Sequence, residues 1–180
     1  MPHCIAFLRA VNVGGRSVKM DALRAAFEAL GLANVQTFIA SGNVIFETRS
    51  RELAALERRI EKQLHESFGF EIHTFIRTEV ELAAVVAHPA FEAAEAEAAA
   101  THVVGFVGAA PDAAAQRVIA GFGSAVDRFH VHERELYWLS TRKQSDSTFS
   151  NAAFEEALRL RATFRGIGTL RKLLAKLAQP

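Results

Sequence analysis

Apolar residues in the first 77 positions follow two periods, one typical of strands and one typical of helices. The run from His3 to Ala10 is almost continuously apolar and too short for a stable helix, which predicts a strand buried on both faces. Further strand-like runs cover residues 35–39, 44–46 and 72–76. Apolar residues at helical spacing predict two helices, one through Met20, Leu23, Phe27 and Leu30 and one through Leu53, Leu56, Ile60 and Leu64. The predicted order is β-α-β-β-α-β.

A similar order recurs after residue 100. Strand-like runs cover residues 101–107, 126–131, 136–139 and 162–164, with helical segments after the first and third of them. A closing amphipathic helix is predicted from the spacing of Leu170, Leu173, Leu174 and Leu177. Between the two halves, residues 78–100 hold a short apolar helix and then an alanine- and glutamate-rich stretch. The predicted organisation is a first unit at 1–77, a helical connector at 78–100 and a second unit at 101–180.

Several residues are typical of helix starts. Thr78 and Glu81 form a capping-box pattern, and Ser50 and Ser150 stand where each could cap the helix that follows. Pro111 suits the first turn of a helix that runs to about Phe122. These positions set the predicted boundaries of four helices.

The fold class that follows is α+β. Two consecutive β-α-β-β-α-β units predict antiparallel sheets with helices on one face, because right-handed crossovers leave few other topologies. We therefore expect two tandem ferredoxin-like (α/β plait) units and a C-terminal helix. The repeat is one of pattern, without convincing residue identity between the halves.

Composition narrows the class of protein further. Half of the residues are apolar, enough for a substantial core, and the single cysteine, Cys4, excludes an internal disulfide framework. The sequence shows no secretory signal pattern and no apolar run long enough to span a membrane, so we expect a cytoplasmic protein without membrane contact. The net charge of +1 is uneven, with glutamates alone as charged residues over 79–100 and cations alone over 159–180.

Two loops carry the candidate chemistry. In a β-α-β-β unit, the end of the first strand and the hairpin turn lie at the same edge of the sheet. Glycines permit close approach of backbone N–H groups, a helix N-terminus attracts anions, and arginine gives bidentate donors to phosphate or carboxylate. The predicted anion-binding residues are Arg9, Asn12, Gly14, Gly15 and Arg16 on the first loop, with Lys19 as a secondary member, and Ser41, Gly42 and Asn43 on the hairpin.

A simpler interpretation explains most of the same residues. Gly14 and Gly15 would permit a tight turn, Ser17 would cap the helix, and residues 41–43 would be ordinary hairpin residues. Arg9 fits this interpretation least, because a cation at the end of an apolar strand needs solvent, a carboxylate or a ligand. Neither loop matches the Walker A or the dinucleotide-binding motif, so we predict no cofactor.

The strings Phe7-Leu8-Arg9-Ala10-Val11-Asn12-Val13-Gly14-Gly15 and Ala40-Ser41-Gly42-Asn43-Val44 resemble the hallmark motifs of a bacterial family. That family is domain-of-unknown-function family 1697, which implies an α/β plait and no established activity. The family also ends in a Thr-x-Arg-Asn-Trp-Asn-Thr segment. Thr163, Arg165 and Thr169 correspond to it as possible secondary ligand residues, whereas Gly166, Ile167 and Gly168 depart from the pattern.

Other residues give weaker indications. His130 and His132 share a strand face but supply two metal ligands at most, so we predict no bound metal. Ser41 lacks the Gly-x-Ser-x-Gly pattern of a nucleophile elbow, and Cys4 is typical of a buried structural residue. Tyr137 and Trp138 alternate on a strand, and core packing is expected for one of them.

Three functions remain open from the sequence. The first is binding of a small anionic ligand that carries phosphate, such as a nucleotide or a nucleic acid. The second is an enzyme acting on a phosphorylated or carboxylated small molecule, with Arg9 and Arg16 holding the anion and Asn43 orienting it. The third is a protein-interaction scaffold in which the acidic connector meets the basic C-terminal helix of another copy. The sequence fixes neither a reaction nor the number of subunits.

Overall fold

The computed structural model describes residues 1–178. It divides into two units, the first formed by Met1–Ala83 together with the residues from Leu173 onward, and the second by Ala84–Lys172. Each unit holds one four-stranded antiparallel sheet. Within the described residues the chain is an α+β protein with eight strands and seven α-helices, which confirms the predicted class.

The first unit contains four strands and two complete helices in the predicted sequence order. The elements are β1 (His3–Leu8), α1 (Met20–Glu28), β2 (Ala33–Phe38), β3 (Asn43–Glu47), α2 (Leu53–Phe68) and β4 (Thr74–Thr78). The sheet has the strand order β2-β3-β1-β4, and every neighbouring pair is antiparallel.

The core of the first unit lies between one face of this sheet and the helices α1 and α2. Alternate residues of β1 enter it because side chains along a strand point to opposite faces. Phe27 of α1 contacts Phe46 of β3 with ring centroids 5.7 Å apart. Leu56, Ile60 and Leu64 form the buried stripe of α2 that the apolar spacing predicted.

The second unit repeats the order of elements. The remaining elements are α3 (Glu79–Ala87), α4 (Ala93–Ala98), β5 (Thr101–Val107), α5 (Ala113–Ala120), β6 (Asp127–His132), β7 (Glu135–Ser140), a 3-10 turn (Gln144–Asp146), α6 (Asn151–Leu158), β8 (Ala162–Gly166) and α7 (Ile167–Leu177). The second sheet has the strand order β6-β7-β5-β8, and all of its neighbouring strand pairs are antiparallel as well. Helices α3 and α7 each contain a point in the chain where one unit ends and the other begins.

Two of the predicted helix starts are confirmed. The Thr78 backbone N–H donates to Glu81 Oε2 over 2.7 Å, and the Glu81 N–H donates back to Thr78 Oγ1 over 3.1 Å. Ser150 Oγ accepts from the Ala153 N–H over 3.1 Å at the start of α6. Reciprocal and single caps of this kind satisfy N–H groups that the helix itself leaves without acceptors.

The other two predicted starts are wrong. The N-cap of α2 is Glu52, because Ser50 instead donates its backbone N–H to Thr48 Oγ1 in a local turn. Pro111 precedes the N-cap of α5, where the Asp112 carboxylate accepts from the Ala115 N–H over 2.8 Å. The aspartate is the better acceptor, and it moves the helix start beyond the proline.

Aromatic side chains build the core of the second unit. Trp138 and Tyr137 are both buried, so the expectation that only one of them enters the interior is wrong. Each has a hydrogen-bond acceptor there, since Trp138 Nε1 donates to Asp127 Oδ1 over 2.9 Å and the Tyr137 hydroxyl donates to the Val85 carbonyl over 3.0 Å. A polar atom with a partner can be buried at low cost, which permits both rings.

Carboxylates from α2 cover the outer edge of β4. Glu57 Oε1 accepts from the Ile76 N–H over 2.7 Å, and Glu61 Oε1 accepts from the Thr74 N–H over 2.9 Å. In the second unit, Glu155 of α6 accepts in the same way from the Ala162 N–H at the edge strand β8. These bonds satisfy edge N–H groups that have no neighbouring strand.

Replacement of Glu61 by alanine should lower the free energy of unfolding by about 1 kcal/mol, because the Thr74 N–H loses its acceptor. Glu61→Gln keeps an acceptor oxygen and serves as the matched variant. Urea denaturation measures both, and amide exchange at Thr74 should accelerate in Glu61→Ala alone. Equal losses in the two variants would contradict this account of the edge.

Candidate anion-binding site

The loop after β1 and the β2–β3 hairpin meet at one end of the first sheet. The Leu8 N–H donates to the Gly42 carbonyl over 2.8 Å. Asn12 Nδ2 donates to the Ala40 carbonyl over 3.0 Å, and Asn12 Oδ1 accepts from the Val18 N–H over 2.8 Å. One amide side chain therefore joins the hairpin to the segment that leads into α1.

Left-handed backbone conformations shape the first loop. Asn12, Gly14 and Gly15 have φ values of 58°, 62° and 80°. A Cβ at Gly14 or Gly15 would meet nothing within 4 Å, so conformation and not space favours glycine there. At Gly42, with φ 79°, a Cβ would also lie 3.1 Å from Leu8 Cβ, so both conformation and close contact favour glycine.

A concavity of about 570 Å³ lies between these segments. Two cations, an amide and a hydroxyl line it, with no acid and no histidine among the lining residues, which are Asn12, Gly15, Arg16, Ser17, Val18, Lys19, Met20 and Ala40. The Arg16 guanidinium carbon lies 5.1 Å from the centre of the Phe70 ring, a cation–π contact that leaves its planar donors available for an anion.

The N-terminus of α1 forms part of the same wall. Its N-cap residue is Lys19, whose side chain makes no capping hydrogen bond, so the suggestion that Ser17 caps the helix is wrong. The first N–H groups of a helix carry partial positive charge and attract anions. Asp21 in the first turn offsets part of this charge.

The structure brings only some of the predicted residues to the concavity. Asn12, Gly15, Arg16 and Lys19 line it, and Ser17, Val18, Met20 and Ala40 are lining residues that the sequence did not indicate as ligand residues. Each of these four residues is next in the chain to a predicted ligand residue, and no other feature of the sequence indicated them. The predicted residues outside the lining set are Arg9, Gly14, Ser41, Gly42 and Asn43.

Asn43 and Ser41 hold the hairpin together. Asn43 is fully buried, and its Nδ2 donates to the Phe38 carbonyl and to Ser41 Oγ, each over 3.0 Å. Arg9 is half-buried, and its backbone N–H donates to the His73 carbonyl over 2.8 Å. The contacts of Asn43 and Ser41 are those of a turn-forming amide, as the simpler interpretation of this segment expected.

The predicted secondary residues Thr163, Arg165 and Thr169 belong to the second unit. Arg165 is buried, and its Nη1 donates to Thr163 Oγ1 over 2.7 Å and to the Phe164 carbonyl over 2.9 Å. Desolvation lowers the pKa of this guanidinium to about 10. Thr169 lies in the first turn of α7.

Two exposed apolar residues are neighbours in the chain of residues that line the concavity. Val13 follows Asn12 and is 56% exposed, and Ile39 precedes Ala40 and is 52% exposed. Ile39 also has φ 59°, a left-handed conformation that is strained for a β-branched residue. The hairpin therefore carries an exposed apolar side chain one residue before the lining residue Ala40.

These features define an α+β protein with two four-stranded antiparallel sheets and a cationic concavity beside the first strand. The chain belongs to the family described as protein of unknown function DUF1697, which it matches over residues 1–137. This confirms the resemblance of the two loop motifs. Thr163, Arg165 and Thr169 lie beyond the matched residues.

A solved structure shows the same fold. The conserved bacterial protein SP0830 from Streptococcus pneumoniae is 20% identical to this chain, with a TM-score of 0.76 and 99% of each chain covered. No curated protein sequence matches the chain. Within residues 1–178, no helix has both the length and the apolar character needed to cross a membrane.

Proposed function

We propose that this protein binds a phosphate-bearing anion in the concavity between the β1 loop and the β2–β3 hairpin. The observation that carries the proposal is the double hydrogen bond of Asn12, which joins the two loops around a space lined by Arg16 and Lys19. Guanidinium, ammonium and helix N–H groups are the donors that proteins use for phosphate.

The apolar neighbours of the concavity favour a nucleotide or a single-stranded nucleic acid over free phosphate. Val13 and Ile39 could contact a base while the phosphate lies against Arg16. Bases stack on or pack against apolar side chains because their faces are poorly hydrated. We expect stronger binding of a nucleoside monophosphate than of inorganic phosphate.

Binding is better supported than catalysis at this site. General acid–base chemistry is carried most often by histidine, aspartate or glutamate in contact with the substrate, whereas Lys19 is proposed here to hold the anion. The residues that line the concavity provide none of these. An enzyme reading would require such a group to come from outside the lining set.

We also propose that each unit is a ferredoxin-like plait. The β-α-β-β-α-β order and the strand orders β2-β3-β1-β4 and β6-β7-β5-β8 support this proposal. The domain boundaries predicted from the sequence, at 1–77, 78–100 and 101–180, remain predictions.

Cys4 is buried and reduced, which is compatible with the predicted cytoplasmic location.

Thermal denaturation with phosphate, nucleoside monophosphates and short oligonucleotides tests the binding proposal. A ligand that binds only the folded state raises the free energy of unfolding by RT ln(1 + [L]/Kd), and the melting temperature rises with it. The shift should disappear in an Arg16→Gln/Lys19→Gln double variant, which removes both cations of the wall.

Arg51→Gln is the matched control, because Arg51 is exposed and does not line the concavity. It changes the charge of the first unit while leaving the proposed site intact, so its ligand-induced shift should equal that of the wild type. Stabilisation by none of the anions, or an equal loss of the shift in Arg51→Gln, would overturn the proposal.

A further inference from the structure

In the second unit His88 contacts both His130 and His132, although the sequence places only the latter two together on one strand. His88 follows α3 in the chain, whereas His130 and His132 lie on β6. The Nε2 atoms of His88 and His130 are 2.9 Å apart. The rings of His88 and His132 stack with centroids 3.9 Å apart and planes 13° from parallel.

The contact between His88 and His130 is a hydrogen bond between ring nitrogens. The ring centroids are 5.0 Å apart and the two Nε2 atoms are 2.9 Å apart. The difference is close to the sum of the distances from each ring centroid to its own Nε2 atom, as expected when the two nitrogens lie on the line between the rings. The two Nε2 atoms therefore point at each other. A neutral imidazole has one N–H and one lone pair, so one ring donates and the other accepts.

This geometry limits how many protons the pair can hold. One extra proton is compatible with the bond, because an imidazolium still donates to a neutral ring. A second proton places two N–H groups face to face and removes the acceptor. His132 adds to the effect, since a charged ring stacked 3.9 Å from a charged His88 is repelled.

The surroundings of His88 and His130 oppose positive charge on these two rings. Burial lowers the pKa of His88 and that of His130, and the positive charges of neighbouring histidines lower both further. The Glu133 carboxylate in the β6–β7 turn acts in the opposite direction on His88. Tyr137 of β7, 5.2 Å from His88 between ring centroids, stays neutral because burial raises its pKa and its hydroxyl donates to Val85.

Residues 1–178 do not place the three histidines, or any other potential ligands, in the arrangement of a metal site. No group of three or more histidine, cysteine, aspartate or glutamate side chains among them is placed to hold a metal ion. In the pair described above, each Nε2 lone pair or N–H is directed at the other ring. Proton binding is the chemistry that this geometry controls.

We propose that His88 and His130, with His132 stacked on His88, form an acid-sensitive contact that holds the segment after α3 on β6 when the His88–His130 pair shares a hydrogen bond and releases it when both rings of the pair are protonated. The unfolded or released segment binds protons more readily than the closed cluster. Closure is therefore complete above the pKa of free histidine and weakens as the pH falls below it. The contact belongs to the second unit and does not depend on the anion site of the first.

Hydrogen exchange of the full-length protein at about pH 7.5 and about pH 5 tests this proposal. After correction for intrinsic rates, the opening constant of residues 88–92 and 128–132 should rise in acid. The increase should be about tenfold for each unit by which closure lowers the histidine pKa values. Histidine NMR titration of the same protein should show His88 and His130 titrating together.

Two variants distinguish the effect of the histidine hydrogen bond from a general loss of packing. His88→Phe keeps a ring against His132 but removes the nitrogen that contacts His130, so the acid response of the segment should fall to the part that the burial of His130 supplies. His130→Gln keeps a polar partner for His88 and removes one titrating group, so the acid response should shrink. His65→Gln, at an exposed position on α2, should retain the full response.

Unchanged exchange of the segment between the two pH values in the wild type would overturn the proposal. Independent titration of His88 and His130 at about 6.5, the value of an unstructured histidine, would overturn it as well. An acid response in His88→Phe as large as that of the wild type would assign the effect to other groups and would have the same consequence.

Discussion

Gly105→Ala should lower the free energy of unfolding by about 2 to 3 kcal/mol, because the new methyl group has no room. Gly105 lies in the middle of β5, where it pairs with Phe164 of β8. A Cβ at this position would lie 2.6 Å from Cε1 and 2.9 Å from Cζ of the Phe164 ring. Separations under 3 Å require the ring or the strand to move.

The ring has little freedom to move away. Phe164 packs edge-on against Phe149 at 5.9 Å and against Phe154 at 5.8 Å between ring centroids. Both neighbours belong to the buried core of the second unit. Overpacking in a dense core forces side chains off their preferred rotamers, which is the origin of the expected loss.

Chemical denaturation of three variants measures this effect. Gly108→Ala is the matched control, since a Cβ there would meet nothing within 4 Å, and its stability should lie close to that of the wild type. Phe164→Leu in the Gly105→Ala background should recover part of the loss, because leucine is smaller than phenylalanine. Equal stabilities of Gly105→Ala and Gly108→Ala would show that the contact is not limiting.

Asp127→Ala should be the second strongly destabilising change, by about 3 kcal/mol. Asp127 is 3% exposed, and its carboxylate accepts hydrogen bonds from Trp138 Nε1 over 2.9 Å and from the Ser124 and Ser147 hydroxyls over 3.2 and 3.3 Å. Alanine would leave the buried indole N–H without an acceptor. It would also release the hydroxyl that fixes the loop before α6.

The pH dependence of stability gives a second measurement on the same residue. Burial by itself raises the pKa of Asp127, but the hydrogen bonds from Trp138, Ser140, Ser124 and Ser147 together outweigh it and lower the pKa. The stabilisation is thus present above the pKa of an unfolded aspartate and is lost as the pH falls through the lower folded value. The stability difference between the wild type and Asp127→Asn should shrink in that acid range.

Asp146→Ala is the control for charge, since Asp146 is an exposed acid in the adjacent 3-10 turn. Its removal should change stability by less than about 0.5 kcal/mol. If the two alanine variants unfold at the same denaturant concentration, the hydrogen bonds of Asp127 contribute no more than an ordinary surface charge.

Hydrophobic periodicity was sufficient to predict the order of elements in both units. Strands buried on both faces, such as β1, and helices with one apolar stripe, such as α2, have patterns that depend on local spacing alone. Helix starts were less predictable. Ser50 and Pro111 have the right residue types, but Glu52 and Asp112 occupy the N-cap positions.

The candidate site was also predictable from the sequence only in part. The convergence of the β1 loop and the hairpin follows from strand direction, which the β-α-β-β order determines. The roles of the two asparagines do not follow from it. Asn12 joins the loops while Asn43 is buried within the hairpin, a difference that depends on side-chain direction. For the same reason, no sequence pattern placed His88 beside His130.

The carboxylates along β4 have a consequence for how this protein resists misassembly. β4 is an edge strand that carries the buried apolar residues Phe75 and Ile76. Unprotected edge strands can pair with another chain and so lead to fibrils or domain-swapped dimers. An incoming chain could not pair there until it had displaced Glu57 and Glu61 from the backbone amides. Protection against intermolecular strand pairing is thus built into the helix that precedes the strand.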